Sequence, residues 1–303
     1  MKKATVAIIG GGPAGVAATI YLKRALVDVI LIEKGAPGGK INFTAEIQNY
    51  PGFEIINGPD LAFKLFEQVS AFDVPFTYGD VQKVIPLENS FLIKTDDGDI
   101  EADFVIYATG TKERELNVPG EQKYNGRGVS FCAVCDGPFY KGETVVVVGG
   151  GNSAFQEALY LAGFAKEVYL IHRSQNFRAD PVMVEKARHT SNIHIILDSE
   201  VIEVLGDEQI MTGVEVNNRV TKEKQVIKAK ALFPYIGQLP MTDPLRDLDV
   251  LDERGYIKVD ANMETSVRNL FGAGDVTAKG LRQIVTATND GAIAAIEISH
   301  RVA

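Results

Sequence analysis

The chain has 303 residues, of which 46% are hydrophobic and 23% charged, the composition of an ordinary globular protein of about two domains. Its net charge of −9 excludes a nucleic-acid binder that relies on a broad basic surface. The two cysteines, Cys132 and Cys135, are too few for a disulfide-stapled secreted scaffold. A closed zinc site needs about four ligands, and two cysteines with four scattered histidines do not provide such a set.

The uncharged segment 4–22 superficially resembles a signal peptide. Its apolar run, 4–9, is shorter than a secretory core, and Gly10-Gly11-Gly12-Pro13 interrupts it. A later uncharged run, 144–156, is too short to span a bilayer. We therefore expect a soluble cytoplasmic protein without a membrane segment, in a compartment where thiols are kept reduced.

The first segment predicts a strand over 5–9, a helix over 16–26 and a second strand over 29–32. The turn Gly10-Gly11-Gly12-Pro13-Ala14-Gly15 has glycines at its first, third and sixth places, the dinucleotide-binding fingerprint. These glycines allow a tight turn, close approach of a pyrophosphate and close helix–strand packing. The pyrophosphate then lies at the helix N-terminus. Glu33, after the second strand, can accept hydrogen bonds from ribose hydroxyls.

The pattern recurs over 144–171, where Gly149-Gly150-Gly151-Asn152-Ser153-Ala154 separates a predicted strand from a helix. Glu33 lies 23 residues after the first glycine, and the matching position in the second unit is His172, followed by Arg173 and Arg178. A carboxylate repels a 2′-phosphate, whereas arginine binds it. We predict FAD or NAD at the first site and NADP at the second. One such turn can arise for structural reasons alone; two at equal offsets predict two dinucleotide sites.

Other segments of the chain support a flavoprotein with two nucleotide ligands. A strand over 103–108 ends in Thr109-Gly110, a second close backbone approach, and 270–272 runs into Ala273-Gly274-Asp275. The latter is equally compatible with a plain turn. Segment 222–230 is charge-rich and predicts a hairpin or edge strand. Segment 282–302 predicts a helix whose single face carries Ile284, Ala287, Ala292, Ile296 and Ser299.

The cysteine pair lies in Phe131-Cys132-Ala133-Val134-Cys135-Asp136-Gly137, between the two glycine units. Two buried apolar residues or half of a zinc site are the alternatives to redox chemistry. The redox hypothesis needs a thiolate, which a nearby helix start stabilises, and this spacing allows a small disulfide ring. Asp136 disfavours a neighbouring thiolate when charged, but as an acid it can give a proton to a departing sulfur. It is also a suitable helix cap.

With these pieces together, the chain resembles the low-molecular-weight, bacterial-type thioredoxin reductases over nearly its whole length. The resemblance rests on both glycine turns, on Cys132-Ala133-Val134-Cys135-Asp136-Gly137, and on shorter motifs. These motifs are Gly38-Gly39, Asn49-Tyr50-Pro51-Gly52, Ala108-Thr109-Gly110, His172-Arg173, Gly272-Ala273-Gly274-Asp275 and Arg282-Gln283.

The resemblance implies an α/β fold with two Rossmann-like dinucleotide-binding domains of the three-layer β/β/α type. It places FAD in a discontinuous domain of residues 1–113 and 243–303, with an NADPH domain of residues 114–242 inserted between them. The inserted domain also carries the redox dithiol. In this family that domain rotates between two states, so we expect hinges in 111–119 and 237–244.

The resemblance further implies a thioredoxin-disulfide reductase. NADPH reduces FAD, FAD reduces the Cys132–Cys135 disulfide, and the dithiol reduces thioredoxin. Cys135 then faces the flavin, Cys132 attacks the substrate disulfide and Asp136 is the general acid. The family is homodimeric. The expected cofactor-binding residues toward FAD are Gly10, Gly12, Pro13, Ala14, Gly15, Glu33, Gly38, Gly39, Lys40, Asn49, Ala108, Thr109, Gly110, Gly274, Asp275, Arg282 and Gln283. Those toward NADPH are Gly149, Gly151, Asn152, Ser153, Ala154, His172, Arg173 and Arg178.

The chain departs from the family pattern at three positions. Ser174 stands where many members have a second arginine, which predicts a weaker preference for NADPH. Lys40 replaces a usual glutamine, which puts one flavin contact in doubt. Met241 stands where asparagine is common, and we attach no mechanism to it.

Four other functions compete with this one. The protein could reduce another small dithiol carrier, or oxidise thiols with oxygen, although Arg173 and Arg178 argue against an oxidase, which does not need NADPH. It could be a non-catalytic flavin-binding redox sensor, but an intact dithiol beside two nucleotide motifs disfavours this. A ferredoxin–NADP reductase relative would not need the cysteines.

Overall fold

The computed structural model describes residues 2–44 and 47–302. The chain divides into two compact units, which we call unit 1, Met1–Lys112 with Leu239–Ala303, and unit 2, Glu113–Gln238. One continuous segment therefore forms unit 2, and two segments that flank it in sequence form unit 1. None of the described helices is long and apolar enough to cross a membrane.

In the described residues, unit 1 contains one seven-stranded sheet and three α-helices. Its elements are β1 (Lys2–Ile9), α1 (Pro13–Arg24), β2 (Val29–Glu33), α2 (Gly58–Ser70), β3 (Phe76–Tyr78), β4 (Val81–Pro86), β5 (Phe91–Thr95), β6 (Ile100–Tyr107), β16 (Leu270–Gly272) and α6 (Ile284–Val302). Short 3-10 helices cover Gly39–Phe43, Asp243–Leu245 and Gly274–Val276.

The sheet of unit 1 has the order β3-β2-β1-β6-β5-β4, with β16 also paired to β6. Strands β1, β2, β3, β6 and β16 are parallel, whereas β4, β5 and the start of β6 are antiparallel. Both neighbours of β1 are in register with it, since Val6 lies opposite Val29 and Phe104. Helices α1 and α6 pack on one face through small apolar side chains. A second apolar cluster covers the other face.

The close packing of α1 and α6 depends on a residue without a side chain. A Cβ at Gly291 would lie 2.0 Å from the carbonyl oxygen of Ala14, so only glycine permits this approach. Helix α6 buries Ala287, Asp290, Gly291, Ala294, Ala295 and Ile298. Of the predicted face only Ala287 is buried, and Ile296 is 41% exposed, so that prediction is wrong in its phase.

Unit 2 repeats this architecture at a smaller scale. Its elements are α3 (Ala133–Asp136), β8 (Thr144–Val148), α4 (Asn152–Ala162), β9 (Glu167–Ile171), α5 (Pro181–Arg188), β10 (Ile193–Ile196), β11 (Ser199–Gly206), β12 (Met211–Asn218), β13 (Lys224–Lys228) and β14 (Ala231–Pro234). A 3-10 helix covers Gly137–Tyr140. The two segments that connect the units, β7 (Thr111–Glu113) and β15 (Gln238–Pro240), pair as a two-stranded sheet.

The parallel sheet of unit 2 has the order β10-β9-β8-β14. Helices α4 and α5 cover one face, and the antiparallel sheet β11-β12-β13 covers the other. This gives the three layers β/β/α, and the predicted α/β class with two Rossmann-like sheets is confirmed. The charge-rich segment 222–230 forms edge strand β13, paired with β12.

Two predicted helix ends differ from the structure. Helix α1 ends at Arg24 rather than at 26, because Leu26 has a φ of 61° and is 92% exposed, so it neither continues the helix nor joins the core. Helix α6 begins at Ile284 rather than at 282. The two residues before it are held by other contacts: Arg282 Nε donates to the carbonyl of Asp275, and Gln283 N donates to Thr286 Oγ1.

Candidate functional site

Backbone atoms pack most closely against the first and last glycines of the first turn. Gly10 has a φ of 110°, and a Cβ there would lie 2.4 Å from the carbonyl oxygen of Ala108. A Cβ at Gly15 would lie 1.9 Å from the carbonyl oxygen of Gly10. Ala108 N in turn donates to the carbonyl of Ile9 at 2.7 Å. The turn therefore lies tightly between β1, β6 and the start of α1, as the fingerprint requires.

The N-terminus of α1 is open on the side of this turn. Gly12 is the N-cap and has no side-chain capping bond, and Pro13 occupies the first helical turn. Apart from the adjoining residues, no atom of the described chain lies within 4 Å of a Cβ built at Gly12. The backbone N–H groups that follow, at Ala14 and Gly15, are thus available to an anion such as a pyrophosphate.

Glu33 is held against the turn by two backbone donors. Its Oε2 accepts from Gly11 N at 2.7 Å and its Oε1 from Gly35 N at 2.8 Å. The predicted Gly38-Gly39 pair lies at the same place, because Gly38 N donates to the carbonyl of Gly11 at 2.8 Å. A Cβ at Gly39 would be 3.5 Å from Gly12 Cα. The structure therefore brings these predicted residues together.

Thr109 and Gly110 form a second approach at the end of β6. Thr109 Oγ1 donates to the carbonyl of Met241 at 2.8 Å, and Met241 N donates to the carbonyl of Gly110 at 3.1 Å. The hydroxyl of Tyr107 donates to the same Met241 carbonyl at 3.0 Å. Met241 thus contacts this segment through its backbone, which explains why the side-chain departure at this position leaves these bonds in place.

Asp275 carries a buried oxygen that nothing in the described chain satisfies. Its Oδ1 is buried and has no hydrogen-bond partner among the described residues. Burial raises the pKa of this carboxyl, and the cations Lys279, Lys40 and Arg282 oppose the rise. A buried acceptor of this kind is typical of a position that a ligand hydroxyl completes.

A buried ion pair fixes the turn that carries Asp275. Asp290 Oδ2 accepts from Gly274 N at 3.0 Å and from Lys279 Nζ at 2.5 Å. Gly274 has a φ of 82°, and a Cβ there would lie 3.0 Å from Cβ of Ala14, so this turn lies against α1. Sequence reasoning missed Asp290 and Lys279. The signal was an aspartate on the otherwise apolar face of α6.

Three further predicted residues of unit 1, Asn49, Arg282 and Gln283, are held by contacts within that unit. Asn49 Nδ2 donates to Gln283 Oε1 at 3.0 Å, across 234 residues of sequence. The Arg282 guanidinium lies 4.1 Å from the ring centroid of Tyr256 and donates to the carbonyls of Asp275 and Thr277. Arg282 is thereby positioned beside the Asp275 turn.

The second glycine turn has the geometry of the first. Gly149 has a φ of 151°, and a Cβ there would lie 2.4 Å from the carbonyl oxygen of Tyr235 and 2.8 Å from Cβ of Ala154. Gly151 is the N-cap of α4, without a side-chain cap and with open space where a Cβ would be. Asn152 Oδ1 accepts from Asp180 N at 2.7 Å, and Ser153 is exposed in the first helical turn.

The end of β9 differs from the end of β2. The ring of His172 lies over Gly150, where a Cβ would be 2.2 Å from its Cε1. His172 Nε2 is bonded to the carbonyl of Asn176 at 3.0 Å and to Ser174 Oγ at 3.1 Å. Arg173 and Arg178 are exposed at this edge. Arg178 N donates to the carbonyl of Gly150 at 2.7 Å, which places Arg178 beside the turn, and Arg173 directly follows His172, whose ring covers Gly150.

Cys132 and Cys135 form a disulfide with Cα atoms 5.3 Å apart. Cys132 is the N-cap of α3 and is half-buried, while Cys135 is exposed. Cys135 N donates to Cys132 Sγ at 3.1 Å, and Cys132 N donates to Ser130 Oγ at 3.1 Å. An N–H donor aimed at Cys132 Sγ stabilises negative charge there.

Two groups near the dithiol were missed from the sequence, the half-buried Tyr235 and the buried Glu157. The hydroxyl of Tyr235 accepts from Ala133 N at 3.2 Å, directly after Cys132. Glu157 on α4 is 7% exposed, its Oε2 has no hydrogen-bond partner in the described chain, and its charge acts on Tyr235. Burial, and secondarily the charge of Glu113, raises the pKa of Glu157 to about 7. Nothing in the sequence order pointed to Tyr235.

One large apolar side chain is exposed close to the dithiol in sequence. Asp136, half-buried, follows Cys135 and its N–H donates to the carbonyl of Cys132 at 3.1 Å. Three residues later Phe139 is 82% exposed. An exposed aromatic ring beside a reactive pair is typical of a surface that contacts a protein substrate. In the described part of the chain, no group of His, Cys, Asp or Glu side chains could hold a metal ion.

A family model for pyridine nucleotide-disulphide oxidoreductases matches residues 4–291. The chain belongs to the pyridine nucleotide-disulphide oxidoreductase family. It is similar to the thioredoxin reductase of Bacillus subtilis, with 42% identity over 98% of this chain and 94% of that protein. The structure is similar to that of Lactococcus lactis thioredoxin reductase, with a TM-score of 0.97, 40% identity and 99% of both chains covered.

A second solved structure agrees, the thioredoxin reductase of T. acidophilum, with a TM-score of 0.95, 34% identity, and 100% of this chain and 99% of that chain covered. The stated resemblance to bacterial-type thioredoxin reductases is thereby confirmed. Membership of the family implies a flavin and a pyridine nucleotide as redox cofactors. The open glycine turns at Gly12 and Gly151 and the orphaned Asp275 Oδ1 fit such ligands.

Proposed function

We propose that the protein is an NADPH-dependent thioredoxin-disulfide reductase that uses FAD. The observation that carries the proposal is the Cys132–Cys135 disulfide, which lies in a unit that also contains a dinucleotide turn. The likeness to thioredoxin reductases over nearly the whole chain supports thioredoxin, a small dithiol protein, as the substrate.

Unit 1 is the proposed FAD domain. Its acid, Glu33, suits the ribose of an adenosine without a 2′-phosphate. Gly12 and the first turn of α1 would hold the pyrophosphate, and Asp275 Oδ1 would accept a hydroxyl of the ribityl chain. When bound, the flavin takes a hydride from the reduced nicotinamide and passes two electrons to a disulfide.

Unit 2 is the proposed NADPH domain. The position of Glu33 is taken by His172, whose ring carries no carboxylate to repel a phosphate. Exposed Arg173 and Arg178 lie beside the turn and suit the 2′-phosphate. Gly151 and the first turn of α4, with Asn152 and Ser153, would hold the pyrophosphate.

The dithiol then reduces the substrate by two thiol–disulfide exchanges. The thiolate of Cys132 attacks one sulfur of the substrate disulfide, a mixed disulfide forms, and the other substrate sulfur leaves as a thiolate that takes a proton from Asp136. The Cys135 thiolate next attacks Cys132 Sγ, which restores the disulfide and releases the second substrate thiol. Two electrons have passed from the dithiol to the substrate. The N–H of Cys135 supports the choice of Cys132 as the attacking thiolate.

Phe139 is the proposed docking residue for thioredoxin, because it is exposed four residues after Cys135. We further propose that the enzyme is a homodimer and works in the cytoplasm, where thiols are kept reduced. Light scattering of the holoprotein that returned a monomer would contradict the first of these two points.

The testing experiment follows NADPH oxidation by the holoprotein with thioredoxin, with another small dithiol carrier, or with oxygen alone as the acceptor. The proposal predicts fast oxidation with thioredoxin, and its loss in Cys132→Ser and Cys135→Ser. Reduction of the other carrier but not of thioredoxin would favour the related dithiol reductase. Oxidation of free thiols by oxygen, catalysed by the protein without NADPH, would favour the oxidase.

A further inference from the structure

Arg219 lies at the tip of the β12–β13 hairpin, in a turn that holds it in place. Asn218 Oδ1 accepts from Val220 N and from Thr221 N, each at 2.9 Å, and Lys222 N donates to the carbonyl of Asn218 at 2.9 Å. Arg219 N itself donates to the carbonyl of Asp198 at 2.6 Å. The backbone of this exposed arginine is therefore fixed by the turn.

The side chain of Arg219 reaches the end of β9. Its Nη1 donates to the carbonyl of Arg173 at 3.2 Å, although the two residues are 46 apart in sequence. Its Nε lies 3.4 Å from Glu200 Oε2. Arginine has five N–H donors in one plane. These contacts orient that plane through Nε and Nη1, so the donors of Nη2 remain for an anion beside Arg173.

In Rossmann-type domains the adenosine ribose of a dinucleotide lies at the carboxyl end of the strand that corresponds to β9. An arginine at this edge of the sheet, where the strands end, accommodates a 2′-phosphate. Ser174 has no positive charge, and its hydroxyl is already hydrogen-bonded to His172 Nε2 at 3.1 Å and to the carbonyl of Asn176 at 3.3 Å. Arg219 brings a guanidinium to the same edge from another part of the chain. Glu200 offsets part of its charge, but Arg173 and Arg178 keep the edge cationic.

We propose that Arg219 is a specificity-determining residue that recognises the 2′-phosphate of NADPH together with Arg173 and Arg178. The inference rests on the proposed use of NADPH by unit 2. It explains how a chain with Ser174 in place of a second arginine keeps three guanidinium groups at this edge.

The test is calorimetric binding of 2′,5′-ADP and of 5′-AMP to the FAD-loaded protein. Arg219→Gln should weaken 2′,5′-ADP binding about 10–100-fold, the effect of losing a charged hydrogen bond, and leave 5′-AMP binding unchanged. Lys224→Gln is the matched control, because it removes another cation of the same hairpin, one paired with Glu215 at 3.3 Å. It should change neither affinity. Ser174→Arg in the Arg219→Gln background should restore most of the lost affinity.

Unchanged 2′,5′-ADP binding in Arg219→Gln would overturn the inference, as would an equal loss for both ligands, which indicates a structural role. A wild-type protein that binds both ligands equally would overturn it together with the proposed NADPH preference. A wild-type protein that prefers 2′,5′-ADP but does not reduce thioredoxin would refute the proposed function alone. In that case the role of Arg219 in phosphate recognition stands.

Discussion

The carboxylate of Glu33 accepts a hydrogen bond from Gly11 N at 2.7 Å, and the ring of His172 takes the equivalent place over Gly150 in the second unit. The same position of two repeated folds therefore carries an anion in one unit and an imidazole in the other. This contrast supports the proposal that the first unit takes a plain adenosine ribose and the second takes one with a 2′-phosphate.

Removal of the Glu33 carboxylate should weaken FAD binding. Glu33→Ala leaves Gly11 N and Gly35 N without their acceptor and removes the group proposed to bind the ribose. We expect the dissociation constant for FAD to rise about 10–100-fold, measured by fluorescence titration of the apoprotein. Glu88→Ala, at an exposed acid of unit 1, should leave FAD affinity unchanged. Equal affinity in the two variants would contradict the role given to Glu33.

The two cysteines should differ in their relation to the flavin. If Cys135 faces the flavin, the reduced Cys132→Ser holoprotein should show a long-wavelength thiolate–flavin absorbance band, and Cys135→Ser should not. The N–H of Cys135, 3.1 Å from Cys132 Sγ, would stabilise a Cys132 thiolate, the one proposed to attack the substrate. A band in Cys135→Ser alone would reverse the two assignments.

The buried carboxyl of Glu157 should make stability depend on pH. Its pKa is about 7 in the folded protein and 4.5 is the ordinary value, so the folded state holds the proton more tightly. The free energy of unfolding should therefore fall as pH rises from 4.5 to about 7, and level off above. The loss is at most about 3 kcal/mol by the usual conversion of a pKa difference.

Glu157→Gln removes this titration, so its urea midpoint should exceed that of the wild type at pH 8 by more than at pH 5. Glu143→Gln, at an exposed glutamate of unit 2, is the control and should follow the wild type at both pH values. If the urea midpoints of wild type and Glu157→Gln changed in parallel with pH, burial of the Glu157 charge would cost little and the prediction would fail.

A side chain at position 291 should separate α6 from α1. In Gly291→Ala the new Cβ would lie 2.0 Å from the Ala14 carbonyl oxygen, so the helices must move apart. Overpacking of this kind costs about 1–3 kcal/mol, and the shift would also displace Asp290, which holds Gly274 N. We expect a lower Tm and weaker FAD binding, measured by calorimetry and fluorescence. Gly280→Ala, with open space around its Cβ, should change neither, and identical results for both variants would refute the packing argument.

The local parts of the fold were predictable because their chemistry is local. The strand–glycine–helix segments around Gly10 and Gly149 follow from backbone geometry that glycine alone permits at those turns. Which face of α6 is buried was not predictable, since this face contains Asp290 and Gly291, and an apolar pattern includes neither. Asp290 is tolerated there because Lys279 and Gly274 N satisfy its carboxylate.

The parts of the site made by distant residues could not be predicted. The bond between Tyr235 and Ala133 spans 102 residues, and that between Arg219 and Arg173 spans 46. Neither pair shares a motif, because Tyr235 follows β14, a strand of the parallel sheet, and Arg219 lies in the β12–β13 hairpin, whose sheet packs on it. The orphaned Asp275 Oδ1 likewise depends on burial, which the glycine turn in the sequence does not reveal.

The most direct test of the central claim is an anaerobic titration of the holoprotein with NADPH and, separately, NADH, followed by addition of oxidised thioredoxin. We predict that NADPH bleaches the flavin absorbance at lower concentration than NADH, and that thioredoxin restores the oxidised spectrum in the wild type but not in Cys132→Ser. A flavin that NADPH does not bleach, or one that thioredoxin reoxidises equally well in Cys132→Ser, would contradict electron transfer through the Cys132–Cys135 pair.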